Sequence, residues 1–416
     1  MRKLSLCVWL VLCACASNHT EPLREPVAAR IADSPAHAAA AEPAPMVAAA
    51  PPTASPLEVH FIDVGTGDCI WIRTGDDGVP GNGRLEGKNI VIDGGDWGLI
   101  GRIDGYAFAS AYLQGGTTPK LPTSTRIDYL VCTHPHSDHC GGLYGFLQDY
   151  DCAVILDPGH DKLADGDIPD RLKPKSAYGR FFQAASAEIL SDGTKATFHW
   201  GVPDGMLLDV GEELRFEVLA SSREILDDDL NNTSIVMRLS FTDPGNGASF
   251  LFTGDAEKAV EDSLVQRLGD GLRSTVLKVG HHGSKSSTTE PFLRAVRPQH
   301  AVICSGNHKF GGTMLPRAET FQTIETVSAA LSLGTTIWRT DRGDKEPELR
   351  KVGTEGGDDT VVATTDGQTV TVRYADEAPP VDALPSDQCQ ATTQAGNRCK
   401  RKAKAGSQFC WQHGGD

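Results

Sequence analysis

The stretch Val131-Cys132-Thr133-His134-Pro135-His136-Ser137-Asp138-His139 places three imidazoles and a carboxylate within six residues, directly after an apolar segment. Such a density of nitrogen and oxygen donors suits a borderline ion such as Zn²⁺, and a site that leaves one coordination position to water generates a nucleophile near neutral pH. Read as the end of a strand, the segment lets the alternate residues His134 and His136 reach one ion while Asp138 and His139 turn toward a second. The competing reading is a His-rich surface loop, which the apolar flank disfavours.

A two-metal site needs a bridging carboxylate and a ligand on the far side of the second ion. Ser249-Phe250-Leu251-Phe252-Thr253-Gly254-Asp255 reads as a buried strand ending in Asp255, and Thr275-Val276-Leu277-Lys278-Val279-Gly280-His281-His282-Gly283-Ser284 as another ending in paired histidines. A lone Asp after a strand is ordinarily a helix N-cap and a lone His a core residue. Because both follow the His-rich loop in order, Asp255 is the expected bridge and His281 the expected ligand. If strand geometry persists, His282 points the other way from His281 and suits a substrate contact.

These blocks, with Phe61-Ile62-Asp63-Val64-Gly65-Thr66-Gly67-Asp68, Ile92-Asp93-Gly94-Gly95 and Asn232-Thr233-Ser234, resemble the metallo-β-lactamase superfamily and within it the ComEC/Rec2-like branch, over about residues 57 to 375. The resemblance implies an α/β (α+β) fold, the αββα four-layer sandwich, with two divalent metal ions (Zn or Mn) bound by His134, His136, Asp138, His139, Asp255 and His281. It implies phosphodiester cleavage, with DNA or a phosphorylated surface polymer as substrate. Asp93 would then support the metal-loop histidines from behind, and Lys278, His282 and Ser284 would hold the phosphate or protonate the leaving group. Asp138, Asp255, His282 and Lys278 are the expected catalytic residues.

The chain departs from the family pattern at Thr66, where Gln is common, and at Leu315, which precedes Pro316 in place of a usual His. Of the histidines between the metal loop and Asp255, only His160 and His199 could supply a third ligand to the first ion. His160 is the better of the two, although a structural turn histidine is the favoured reading. The first site would then be three-liganded, weaker or empty.

The ends of the chain carry separate signals. Residues 1–14 read as a basic n-region and an apolar stretch too short for a membrane span, a secretory signal. Leu12-Cys13-Ala14-Cys15 resembles a lipobox, so Cys15 is expected to be lipidated and to hold the chain on a membrane, in the bacterial periplasm or on the outer membrane. An ordinary signal peptide is the alternative. Residues 15–56, rich in Ala and Pro, lack core-forming side chains and read as a disordered tether. The hydrolase domain is placed at 57–378 and a linker at 379–388. In 389–416, Cys389, Cys399, Cys410 and His413 offer the four ligands of one structural Zn, in a tail too small to build a core. A disulfide pair with one odd thiol is the competing reading, and the tail's partner is open.

Composition bounds the rest. The 39% hydrophobic residues of the 416 suffice for one large core. Eleven cysteines are dispersed rather than arrayed as a scaffold; Cys69, Cys132, Cys140, Cys152 and Cys304 read as buried thiols, with a Cys140 to Cys152 bridge conceivable. A formal net charge of -16 excludes broad electrostatic binding to nucleic acid, which depends on cations, so any such contact must be local. Two alternatives stay open: a metallohydrolase acting on a thioester, lactone or lactam, and a surface-tethered binding protein whose hydrolase domain is degenerate.

Overall fold

The strands obey a period of two. Ile90 and Ile92 turn into one apolar core while Val91 between them turns into another, and Phe250 and Phe252 part from Leu251 in the same way. Strands apolar on both faces must be covered on both, which dictates a layered architecture. The computed structural model describes residues 55–377 apart from 99–103, 117–118, 160–172, 174, 225–228, 244, 246, 307–308, 311 and 343–358. The signal with Cys15, the tether, His160, and the tail with Cys389, Cys399, Cys410 and His413 lie outside the described residues.

The first sheet begins with β1 (Leu57–Phe61), β2 (Ile70–Arg73), β3 (Asn89–Ile92), β4 (Ile127–Val131), β5 (Cys152–Asp157) and β6 (Thr197–Trp200). The second takes β7 (Leu207–Leu208), β8 (Leu214–Ala220), β9 (Val236–Phe241), β10 (Ser249–Phe252), β11 (Val276–Lys278) and β12 (His300–Ile303). After the two-residue strands β13 (Lys309–Phe310) and β14 (Thr313–Met314), β15 (Thr336–Arg339) completes the second sheet. The chain then returns to the first as the hairpin of β16 (Val361–Thr365) and β17 (Val370–Tyr374). Strand order is β17-β16-β1-β2-β3-β4-β5-β6 in the first sheet and β15-β12-β11-β10-β9-β8-β7 in the second.

Phe61, Ile72, Ile92 and Val131 of the first sheet share a core with Phe216, Met237, Phe250 and Val276 of the second. The outer face of the first sheet is covered by α1 (Gly105–Gln114), α3 (Leu143–Asp149) and α4 (Ala177–Ala187), with the single-turn α2 (Ser137–Cys140) beside them; Ala109, Leu113, Phe146 and Tyr178 meet Val91, Leu130 and Ile155. On the second sheet α5 (Lys258–Leu268), α6 (Glu290–Val296) and α7 (Ala318–Leu331) bring Leu264, Phe292 and Ile324 against Leu251, Leu277 and Ala301. The result is an αββα sandwich. Among the described residues no helix is long and apolar enough to cross a membrane.

Parallel pairing positions the site. Strands β3 to β6 run parallel in the first sheet, as do β10, β11, β12 and β15 in the second, with Ile92 opposite Val131 and Leu277 opposite Ala301. Their carboxyl ends therefore lie together, the usual place for a ligand in sheets of this kind. The five described cysteines are buried free thiols. No Cys140 to Cys152 bridge forms; each thiol turns instead to a nearby backbone carbonyl, Cys140 to that of Pro135 and Cys152 to that of Tyr150.

Candidate metal centre

The chain leaves β4 through Cys132 and Thr133, and the single turn α2 folds Asp138 and His139 back toward His134. His134 Nε2 and His136 Nδ1 approach to 3.0 Å. From β3, Asp93 adopts a left-handed φ of 58°, rare for a residue with a side chain, and points its carboxylate under the loop. There it accepts from the Thr133 amide at 2.8 Å, from the Thr133 hydroxyl at 2.6 Å and from His139 Nδ1 at 2.8 Å. Burial raises the pKa of Asp93.

The second sheet contributes from the ends of β10 and β11. Asp255 is 2% exposed, and its Oδ2 lies 3.2 Å from His139 Nε2, 3.2 Å from His282 Nε2, 3.9 Å from His134 Nε2 and 3.9 Å from His281 Nε2. Four imidazole nitrogens thus converge on one carboxylate oxygen. Burial opposes the charge on Asp255, but the imidazoles of His139, His282 and His281 outweigh it and hold the carboxyl well below its usual range. His139 is pushed up to about 10: burial alone would lower it, and the carboxylates of Asp255 and Asp93 reverse the sign. His134, buried beside His139 and His136, is driven well below the ordinary imidazole value.

The donor set fits divalent ions. His139 donates through Nδ1 to Asp93, His282 to the Cys304 carbonyl at 2.9 Å and His281 to Glu257 at 2.8 Å, which leaves each Nε2 as a lone pair facing inward. With His139 Nε2 and His282 Nε2 only 3.1 Å apart, those lone pairs need a proton or a cation between them. Backing of this kind fixes the tautomer of a metal-binding imidazole. Three sets of potential ligands come within reach of one another: His134, His139 and Asp255; Asp138, His139 and His282; and Asp68, Asp93 and His139.

The backbone around the paired histidines departs from an extended strand. Strand geometry does not persist past Lys278: His281 and His282 both take left-handed φ values, 44° and 51°, in a tight turn. In consequence His282 faces inward, 3.4 Å from Asp138 Oδ2, while His281 sits on the rim with 23% of its side chain exposed. Lys278 is enclosed. Its side chain is fully buried, 2.5 Å from Asp68 Oδ2 and 3.5 Å from Asp255 Oδ1. His199, within β6, joins none of the ligand sets. The residues that sequence reasoning left without a role are Asp68, Thr133 and Glu257; Asp68 stands in a quoted Gly-rich motif, but its partner is 210 positions away and no local pattern announces the pair. Leu315 is buried, and the segment after it supports the histidine turn, since the Arg317 amide and the Thr320 hydroxyl both donate to the Gly283 carbonyl.

Parts of the chain are similar to known proteins. Residues 84–219 match the family model described as the Metallo-beta-lactamase superfamily. The chain is similar to the "ComE operon protein 3" of Bacillus subtilis (strain 168), 28% identical over 257 residues, which is 60% of this chain and 28% of that protein. It is also similar to the "Competence protein ComA" of Neisseria gonorrhoeae, 32% identical over 199 residues, 47% of this chain and 23% of that one. The chain thus spans less than a third of these relatives' own lengths. Among solved structures, Igni18, a metallo hydrolase from Ignicoccus hospitalis KIN4/I, aligns with a TM-score of 0.38 at 14% identity, covering 70% of this chain and 97% of that one. Part of the chain thus matches a metallo-β-lactamase family model and is similar to stretches of the ComE and ComA competence proteins, and its His/Asp cluster offers donors of the kind that divalent metal ions require.

Proposed function

We propose, starting from this metallo-β-lactamase domain, that the chain is a phosphodiesterase working with two divalent ions, Zn or Mn, on DNA or a phosphorylated surface polymer. The observation that carries the two-ion reading is the convergence of His134, His139 and His282 through Nε2 on Asp255 Oδ2, with Asp138 beside His282. His134, His136 and Asp255 would hold one ion, and Asp138, His139, His282 and Asp255 the other. Bound there, the ions supply an activated water and stabilise the charge that develops on the phosphoryl oxygens. The competence proteins among the relatives support the phosphodiester class.

The protein's own groups divide the remaining work. His281, on the rim with Nδ1 anchored by Glu257, is the imidazole open enough to give a proton to the leaving group once Nε2 has taken one up from water. The Ser286 hydroxyl also donates to Glu257, which fixes the carboxylate beneath His281. The substrate docks locally, because a net charge of -16 offers no broad field for a polyanion. Lipidation of Cys15 after export, and a zinc held by Cys389, Cys399, Cys410 and His413, complete the proposal; labelled fatty acid supplied to the native host tests the anchor.

Hydrolysis of bis-p-nitrophenyl phosphate measured beside a chromogenic lactam tests the substrate class. The metal-loaded chain should cleave the phosphodiester and spare the lactam, and Asp255→Ala should lower the rate at least roughly a thousandfold. Preferential lactam cleavage, or near wild-type turnover by the variant, refutes the proposal.

A further inference from the structure

An ammonium group buried without partners costs several kcal/mol, yet Lys278 is placed entirely inside the protein. It occupies the inner face at the end of β11, where its Nζ donates to the Gly254 carbonyl at 2.8 Å and lies 2.5 Å from Asp68 Oδ2 and 3.5 Å from Asp255 Oδ1. Asp68 is itself fixed from two sides, its amide donating to the Asp138 carbonyl at 3.3 Å and its carbonyl accepting from Gly95 at 2.8 Å. Two carboxylates and a backbone carbonyl thus surround the ammonium, the partners that a buried cation requires.

The two oxygens of Asp255 therefore live in different surroundings. Oδ1 faces Lys278, whereas Oδ2 faces the imidazoles. The terminal torsion of an aspartate is broad, so an unpinned carboxylate would rock between one-oxygen and two-oxygen contact with whatever fills the cluster. We propose that Lys278 is a positioning residue of the metal centre, whose ammonium holds Asp255 Oδ1 by an ion pair at 3.5 Å, without a hydrogen bond, and leaves Oδ2 as the single oxygen offered to both ions. The role rests on the two-ion reading above and goes beyond it, since nothing in that reading requires a buried cation. Charge neutralisation of Asp68 alone would be the lesser role, and the two differ in what they do to the ions.

The experiment uses the full chain loaded with Co²⁺, whose visible absorption reports coordination geometry, together with cobalt affinity and thermal stability. The variants are D68N, K278M and K278M/D68N. D68N also alters the group beside His282 and His139, so it serves as the reference against which the double variant is read. K278M/D68N removes the pair without stranding a buried charge, so it should recover stability relative to K278M, yet shift the spectrum and weaken cobalt binding at least about tenfold. A double variant with wild-type spectrum and affinity overturns the proposal. So does a double variant whose spectrum and affinity match those of D68N alone; where the methionine variants fail to fold, K278Q takes their place, and a wild-type spectrum and affinity there overturn the proposal equally. A wild-type chain that takes up no cobalt overturns the metal reading and this role together, a result distinct from the others.

Discussion

His281 and His282 are neighbours with different surroundings, and the difference is testable. His282 lies within 3.4 Å of both Asp138 and Asp255, whereas His281 is held at the rim by Glu257. A proton donor matters only when the leaving group needs a proton, so His281→Gln should slow cleavage of a poor alkoxide leaving group by about 10²-fold or more. The same variant should lose much less on bis-p-nitrophenyl phosphate, whose leaving group departs as a stable anion. Equal losses on both substrates would make His281 a ligand instead. At this scale the sequence was informative where the donors were dense: His134, His136, Asp138 and His139 stand in one loop, and Asp255 ends an apolar strand. What it could not convey was direction. Alternation foretold the reverse arrangement of His281 and His282 because it assumed an extended backbone, and two successive left-handed residues break that assumption. Nor could it tell a buried Lys278 from a substrate-facing one, since the distinction depends on Asp68 arriving from another strand.

Elements hold the site through contacts between helices as well as strand ends. Glu261 in α5 accepts from the Thr288 and Thr289 amides ahead of α6, so one carboxylate ties the two helices behind the histidine turn. Burial pushes this carboxyl up to about 7 despite those amides. With an unfolded value of about 4.3, its contribution to stability is complete below that value. It is then lost as pH rises through about 7, because ionisation favours the unfolded chain. Glu261→Gln should therefore flatten the pH dependence of the unfolding free energy between about pH 4 and pH 7, measured by denaturant titration. An unchanged slope would mean that the carboxyl titrates normally. The elements themselves are largely legible: the polar-apolar run after Asp255 forms α5 from Lys258, and Asp366-Gly367 marks the turn between β16 and β17. Apolar alternation and turn residues are local, so they survive in the sequence. The return of β16 and β17 to the first sheet, beside β1, is a long-range pairing that no local signal encodes.

Across the whole molecule, the proposal separates a catalytic body from its appendages. A chain ending at Ala383 should keep its activity on bis-p-nitrophenyl phosphate and lose one zinc, as counted by elemental analysis. Retention of every metal, or two tail cysteines found joined by mass analysis, removes the zinc tail from the proposal. The body has its own dependence on metal, which follows from where its donors originate. His134, His136, Asp138 and His139 follow a strand of the first sheet, while Asp255, His281 and His282 follow strands of the second. Ions bound at that edge would act as a clasp between two sheets that share an apolar core. The grip adds about 4 kcal/mol when free metal stands a thousandfold above its dissociation constant. Chelation should accordingly lower the melting temperature by several degrees and raise amide exchange first at the loops after β4 and β11, and re-addition of metal should reverse both. The catalyst and the fastener would then be one object, so a cell that starves the enzyme of metal would lose the protein along with its activity.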